Sequence, residues 1–174
     1  MDRLDDAILR AFAEWRTPWL NRAAADVSSL GSMTVIILIS VTAFTLLWII
    51  AGDRVGAAKI VTAAAGAEML VEVIKRILQH PRPTIVPYLV EFSGFSYPSG
   101  HALVATATYG TLSVIACGYV RQRRGRIAIR SIAWTLAGLV AISRVYLGVH
   151  YPSDVLGGVL IGIACLYIVA YLWR

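Results

Sequence analysis

Charge is scarce in this sequence: 15% of its 174 residues are charged, 58% are hydrophobic, and the mean hydropathy is +0.70. An ordinary soluble domain is roughly 45–50% apolar and about 25% charged. One soluble core of this length cannot hide the excess, so the composition excludes a disordered chain and a plain soluble enzyme and assigns the chain to lipid. Cysteine is as sparse. Cys117 and Cys165 lie inside apolar runs without a C-x-x-C spacing, which excludes a disulfide framework and a zinc site. The first 30 residues hold no uncharged core of about 7–15 apolar residues, so no signal peptide is expected there. Internal repeats are absent too, and the alanine-rich run at 63–67 is the only low-complexity tract.

Long uncharged runs are what the sequence has instead. Residues 33–51, 102–120 and 155–173 carry no charge over 19 positions each, just under 30 Å of helix and one hydrocarbon core. Two further spans are less clean: about 56–79, with Lys59, Glu68, Glu72, Lys75 and Arg76, and about 127–147, with Arg130 and Arg144. The expected fold is therefore an all-α integral membrane bundle, one domain over 1–174, with five spanning helices in residues 31–174. An amphipathic helix is expected in residues 1–30. Leu4, Ile8, Phe12, Trp15 and Trp19 recur at spacings of four and three, and Thr17-Pro18 interrupts them, as in an interfacial anchor or a helix packed on the end of the bundle. Gly158-x-x-x-Gly162 predicts a close helix contact inside the bundle.

The basic residues, a formal net charge of +6 with an isoelectric point near 9.7, gather between the apolar runs rather than along a soluble face, so no nucleic-acid partner is indicated. Arg121, Arg123, Arg124, Arg126 and Arg130 accompany no acid, which places the connection after residue 120 in the cytoplasm. Counting spans, the short loop at Asp53-Arg54 and the C-terminus share that side. The N-terminus and the connections at about 80–100 and 148–153 then face outward. Four arginines in the N-terminal segment oppose this orientation, and Asp2, Asp5, Asp6, Glu14 and Asp26 offset them.

Three polar clusters converge at that outer end. The first runs from Lys75 to Arg82-Pro83, the second is Tyr97-Pro98-Ser99-Gly100-His101, and the third joins Ser143-Arg144 to His150, Tyr151, Pro152, Ser153 and Asp154. Lys75, Arg82 and Arg144 are three cations on different elements, and such a set calls for a polyanion, most simply a phosphate. Proline at 98 and 152 predicts helices starting near Ser99 and Ser153, with free N–H groups aimed at the same surface, so that Ser99 and Gly100 can bond phosphate oxygens. His150 and Asp154 are four apart across a helix start, which lets a carboxylate hold one ring nitrogen and direct the lone pair of the other. His150 is then the better nucleophile and His101 the general acid. A metal on His101, His150 and Asp154 is disfavoured by the three cations.

K-x6-RP at 75–83, PSGH at 98–101 and SR-x5-H-x3-D at 143–154 match, at every signature position and in order, the three motifs of the type 2 phosphatidic acid phosphatase superfamily, which the chain resembles. That resemblance implies a membrane lipid phosphatase working without a metal or other cofactor through a phosphohistidine at His150. It gives Asp154 the orienting role, His101 that of the acid, and the phosphate to Lys75, Arg82, Ser99, Gly100 and Arg144. Many membrane members have six spans, so a short amphipathic segment stands here in place of the first.

The expected location is a plasma (inner) membrane, multi-pass, with the site on the outer side. Undecaprenyl diphosphate is the first candidate substrate, and phosphatidylglycerophosphate, phosphatidate and lipid A phosphate follow. The alternative from another class is a protein that binds or transports an anionic lipid without cleaving it. Glu68 and Glu72, one and two turns below Lys75, read as structural or as tuning Lys75. His80 reads as a loop histidine. Phe92, Phe95, Tyr97, Tyr146 and Tyr151 read mostly as belt or packing residues, some of them lining the lipid's route.

Overall fold

Helix starts here are set by side chains that take up free backbone N–H groups. Ser32 accepts from the Val35 N–H at 3.4 Å, Asp53 accepts from the Gly56 N–H at 2.7 Å, and Pro152 occupies a first-turn position. In the computed structural model, which describes residues 3–173, the chain forms seven α-helices. These are α1 (Arg3–Glu14), α2 (Pro18–Ser29), α3 (Met33–Thr45), α4 (Arg54–Leu78), α5 (Gly100–Tyr119), α6 (Arg123–Tyr146) and α7 (Pro152–Leu172), and α3 continues into a π-helical turn, Leu46–Ile50. Asp2 and the C-terminal Arg174, used above for orientation, lie outside the described residues.

Four of these are long and apolar enough to cross a membrane: α3 with its π turn, α5, α6 and α7. The fifth expected span, α4, has 25 residues, which at about 1.5 Å each exceeds one hydrocarbon core. Its charges, Lys59, Glu68, Glu72, Lys75 and Arg76, set it apart from those four. It packs between α3 and α5, where a polar span can be sheltered.

At the centre lies α5, with Ala102 to Thr111 buried without interruption against α4, α6 and α7. Lipid offers no hydrophobic drive for helix association, so close backbone approach supplies the contact instead. The expected glycine pair does this inside the bundle. A Cβ on Gly158 would stand 2.7 Å from the Ser99 carbonyl oxygen, and one on Gly162 would stand 2.6 Å from that of Leu103. Gly162→Ala should therefore push α7 off α5 and lower the melting temperature in detergent, at a cost of about 1–3 kcal/mol. An unchanged melting temperature would show that the seam has slack.

The N-terminal segment is two helices, divided at Thr17-Pro18 where the amphipathic pattern is interrupted. Pro18, which cannot continue α1, opens α2 instead. The buried face of α1 is short: Leu9 is fully buried with Val86, Tyr151 and Val155, while Leu4, Trp15 and Trp19 are 67–70% exposed. Arg16 locks the turn between α1 and α2 to the bundle, donating to the Tyr146 carbonyl at 2.9 and 3.2 Å and to that of Pro87 at 2.8 Å. The segment is thus docked on one face and presents tryptophans on the other.

Two ends of the bundle are distinct. Tyr119 donating to Asp53 at 2.8 Å and Arg126 donating to the Val120 carbonyl at 2.6 Å mark the end with the arginine-rich connection. The opposite end gathers α1, the connection at 79–99 and the loop at 147–151. Leu89 N–H to the Leu147 carbonyl at 3.1 Å and Ser96 N–H to the His80 carbonyl at 2.8 Å stitch it together.

Candidate active site

All eight residues expected to carry chemistry lie at this second end. Lys75 sits in the last turn of α4, Arg82 in the connection that follows, Ser99, Gly100 and His101 at the start of α5, Arg144 in the last turn of α6, His150 in the short loop, and Asp154 in the first turn of α7. Elements far apart in sequence converge because small residues let them. Gly100 packs against Val71 of α4, where a Cβ would be 3.2 Å from the valine side chain, and Gly31 lets the turn between α2 and α3 lie against the His101 backbone.

The histidine of the loop is almost wholly buried, at 2% exposure. Its Nε2 is 3.3 Å from Nη1 of Arg82. A guanidinium can only donate, so Nε2 carries the lone pair and Nδ1 the proton. Nδ1 faces Ser96 Oγ at 3.4 Å and Asp154 Oδ2 at 3.7 Å. The longer distance is beyond a direct hydrogen bond. Ser96, fully buried, closes the gap by donating its hydroxyl to Asp154 Oδ2. Asp154 also accepts the Tyr151 N–H at 2.9 Å, so the carboxylate that caps α7 is also the one that faces the imidazole through Ser96.

Burial pushes His150 down to about 4, with the cations Arg82 and Arg144 acting in the same direction and Asp154 opposing them. At neutral pH the ring is neutral, and its Nε2 lone pair faces Arg82. Protonation destroys that lone pair, so kcat/KM should hold as the pH is lowered until it approaches about 4 and then fall. The acid limb should move upward in Arg82→Ala, which removes a repelling cation. A limb near the ordinary histidine value in the parent protein would refute this picture of the pocket.

The cations are arranged differently from one another. Arg144 is buried at 6% exposure, and its Nη1 donates to Ser28 Oγ at 2.5 Å. Its Nε is buried without a partner among the described residues, as is Ser99 Oγ. Arg82 braces the connection before α5 by donating to the carbonyls of Gly94 at 3.0 Å, Ser93 at 2.9 Å and Val149 at 2.7 Å, and it lies 4.6 Å from the Phe92 ring centroid. Lys75 is within electrostatic reach of Arg82 and Arg144 as like charges and of Glu72 and Glu68 as opposite ones. His101 feels Arg144, His150, Lys75 and Arg82 together.

Two expectations about the helix starts are corrected. Pro98 lies before the cap of α5, which begins at Gly100 with Ser99 in the cap position, so proline does not open that helix. The N-terminus of α7 is not free for phosphate either. Asp5 of α1 takes the Ser153 N–H at 3.0 Å and its hydroxyl at 2.6 Å, filling the positive end with a carboxylate. Of these two helix starts, the α5 terminus remains for an anion, with a Ser99 hydroxyl that has no partner among the described residues.

Sequence reasoning missed Ser96, which carries no signal beyond its place two residues before Pro98, and it read His80 as a loop residue. His80 Nδ1 stands 3.5 Å from Asp154 Oδ1, and its ring meets Tyr151 edge-on with centroids 5.7 Å apart. Of the aromatic residues, Tyr146 and Tyr151 are buried packing residues, Tyr97 lies against Gly157, and Phe92 backs Arg82. Glu72 pairs with Arg76 at 3.8 Å on an exposed face.

Beside the site, α3 and α4 enclose a groove of about 870 Å³, lined largely by apolar residues such as Ile37, Val41, Phe44, Val61 and Met69, with Glu68, Glu72 and Arg76 among its polar members. Its rim at Met33 lies two residues from Gly31, which touches His101, and Val104 of α5 borders it. A long apolar chain attached to a phosphate in the site has this groove at hand.

The comparisons with known proteins converge on one family. Residues 56–174 match the PAP2 superfamily. The chain is 31% identical to phosphatidylglycerophosphatase B of Bacillus subtilis over 179 aligned positions, covering 95% of this chain and 81% of that one. It is 30% identical to the putative undecaprenyl-diphosphatase YbjG of Escherichia coli, covering 86% and 72%. Its fold matches the crystal structure of a transmembrane PAP2 type phosphatidylglycerolphosphate phosphatase from Bacillus subtilis with a TM-score of 0.89 at 29% identity, over 97% of this chain and 84% of that one. With the motif residues gathered at one end of an all-helical bundle whose helices are built to cross a membrane, the chain belongs to the PAP2 superfamily and is a membrane lipid phosphatase.

Proposed function

We propose that this phosphatase removes a terminal phosphate from a lipid through a covalent phosphohistidine on His150, without a metal, at the outer face of a plasma (inner) membrane. The observation that carries this reading is that, among the buried polar atoms left without partners in the described residues, two belong to expected phosphate-binding residues at the site, Ser99 Oγ and Arg144 Nε. Buried polar groups are normally bonded, and a phosphate oxygen supplies what each lacks. The arginine-rich connection lies at the opposite end of the bundle, and the positive-inside rule then turns the site outward.

The chemistry follows from the groups present. The Nε2 lone pair of His150 attacks phosphorus as Arg82 turns from the ring to the phosphate oxygens. The bond to the leaving oxygen breaks, and His101 delivers a proton to that oxygen. Lys75, Arg82, Arg144, the Ser99 hydroxyl and the Gly100 N–H balance charge on the remaining oxygens, the contribution phosphoryl transfer most needs. A water then attacks phosphorus and breaks the N–P bond, while His101 accepts the water's proton, so inorganic phosphate leaves and both histidines are restored.

Polyprenyl diphosphate, such as undecaprenyl diphosphate, is the substrate we assign first. The largely hydrocarbon groove supports it, as does the similarity to the Escherichia coli protein. Phosphatidylglycerophosphate is the second reading, favoured by the likeness to the Bacillus subtilis phosphatase. Phosphate release by purified protein should be measured across undecaprenyl diphosphate, phosphatidylglycerophosphate, phosphatidate and lipid A phosphate, with and without EDTA. Undecaprenyl diphosphate is expected to give the highest kcat/KM, unaffected by the chelator. A higher value for phosphatidylglycerophosphate transfers the assignment to it. Loss of activity in EDTA would overturn the metal-free route, and no release from any lipid would leave a binding protein.

A further inference from the structure

Asp154 is held from more sides than its motif accounts for. One oxygen, Oδ2, takes the Tyr151 N–H and the Ser96 hydroxyl, and it lies 3.7 Å from the nucleophilic imidazole. The other, Oδ1, is buried without a hydrogen-bond partner among the described residues, and Nδ1 of His80, likewise without one, faces it at 3.5 Å. His80 and Ser96 are also tied to each other, because the His80 carbonyl accepts the Ser96 N–H at 2.8 Å. Neither belongs to the signature positions.

We propose that His80 and Ser96 form a positioning pair that clamps the Asp154 carboxylate from its two oxygens and thereby fixes the tautomer of His150. A carboxylate with one free oxygen can rotate about its last bond. Rotation here would carry Oδ2 away from Nδ1 and leave Nδ1–H without an acceptor. Ser96 prevents this directly, since its hydroxyl bridges the 3.7 Å between Nδ1 and Oδ2 by accepting from the ring and donating to the carboxylate. His80 opposes it from the far side, its Nδ1 standing 3.5 Å from Oδ1, longer than a formed hydrogen bond but near enough for an electrostatic hold, while its ring is propped edge-on by Tyr151. During attack the Nε2–P bond forms and Nδ1 keeps its proton, so the imidazolium charge that develops is balanced by Asp154 in place. No proton passes to His80 in either step. Its side chain is 39% exposed, so the residue is removable without opening the core.

The inference rests on the phosphohistidine reading, and the test separates the two. His80→Ala, His80→Asn and Ser96→Ala are purified beside His150→Ala, and kcat and KM are measured on the best lipid of the panel together with single-turnover labelling of the protein by radioactive lipid phosphate. Asparagine keeps an N–H donor where Nδ1 stood. Removing either clamp should lower kcat and the labelling rate about 10- to 100-fold, the scale on which the outer hydrogen-bond partners of a functional histidine matter, with KM within about twofold. His80→Asn should recover most of the loss. Melting temperatures identify any variant that merely unfolds, and the half-exposed His80 keeps the test decisive if Ser96→Ala proves unstable. Parent-like kcat in His80→Ala, a loss confined to KM, or no recovery in His80→Asn would each overturn the proposal. Turnover surviving in His150→Ala would instead sink the reading on which it rests, whatever the His80 variants do.

Discussion

His150→Ala should lower phosphate release from a lipid phosphate by on the order of 10⁴-fold or more, with no radioactive phosphate retained on the protein after an acid-free quench. The magnitude follows from what is removed. The phosphohistidine route splits the reaction into two steps, and both pass through Nε2. Lys75, Arg82 and Arg144 survive the substitution, so the lipid should still bind, and residual hydrolysis by positioned water is all that remains. Folding should persist, because the ring occupies a loop between α6 and α7 rather than a helix seam. Retention of a tenth of parent activity would exclude His150 as nucleophile and point to direct attack by water.

Asp154→Asn is the second large effect, and it acts on two levels at once. The carboxylate is fully buried and accepts from Ser96 Oγ and from the Tyr151 N–H at 2.9 Å. An amide of the same shape has one acceptor oxygen. If that oxygen stays on Ser96 and the N-cap of α7, the amide nitrogen faces His80 and no anion supports the imidazolium. If the amide flips, its N–H groups oppose existing donors. Turnover should fall by on the order of 10⁴-fold, as expected when a base is left in the wrong tautomer without its counter-charge. The melting temperature should drop as well, by the equivalent of about 1–3 kcal/mol for donors left unsatisfied. Steady-state kinetics and detergent melting on the same preparation check both. A variant with parent kcat and reduced stability alone would reduce Asp154 to a helix cap.

Much of the site was legible because its residues recur at spacings set by helix geometry. His150 and Asp154 fall on either side of a helix start, Arg144 closes the preceding helix, and Lys75 closes α4. Those relations are local, decided over a few residues by backbone preference. His80 and Ser96 were not legible for the complementary reason. Ser96 meets Asp154 across 58 positions of sequence, and a serine two residues before a proline reads as a turn residue whatever it bonds. Asp5 on Ser153, 148 positions apart, is more extreme: the acid reads as one charged face of a surface helix, yet it fills the helix end expected to hold phosphate. Pro98 misled in a smaller way. A proline near a helix start is compatible with several cap registers, and packing of Gly100 on Val71 is what accompanies the observed one.

By itself the sequence determined that the chain lives in lipid, where its helices run, and which residue types are assembled for phosphate, since apolar run length and motif spacing follow from backbone geometry and from the cost of burying charge. Only the tertiary structure decided which donors are spoken for and which are free. Arg82 was found bracing its own loop and Arg144 keeping an unpartnered Nε, because hydrogen-bond satisfaction depends on neighbours brought together by packing and has no trace in residue order. The same holds for the groove beside α4. Its walls are drawn from α3 and α4 with Val104 of α5, a combination that no single span reveals.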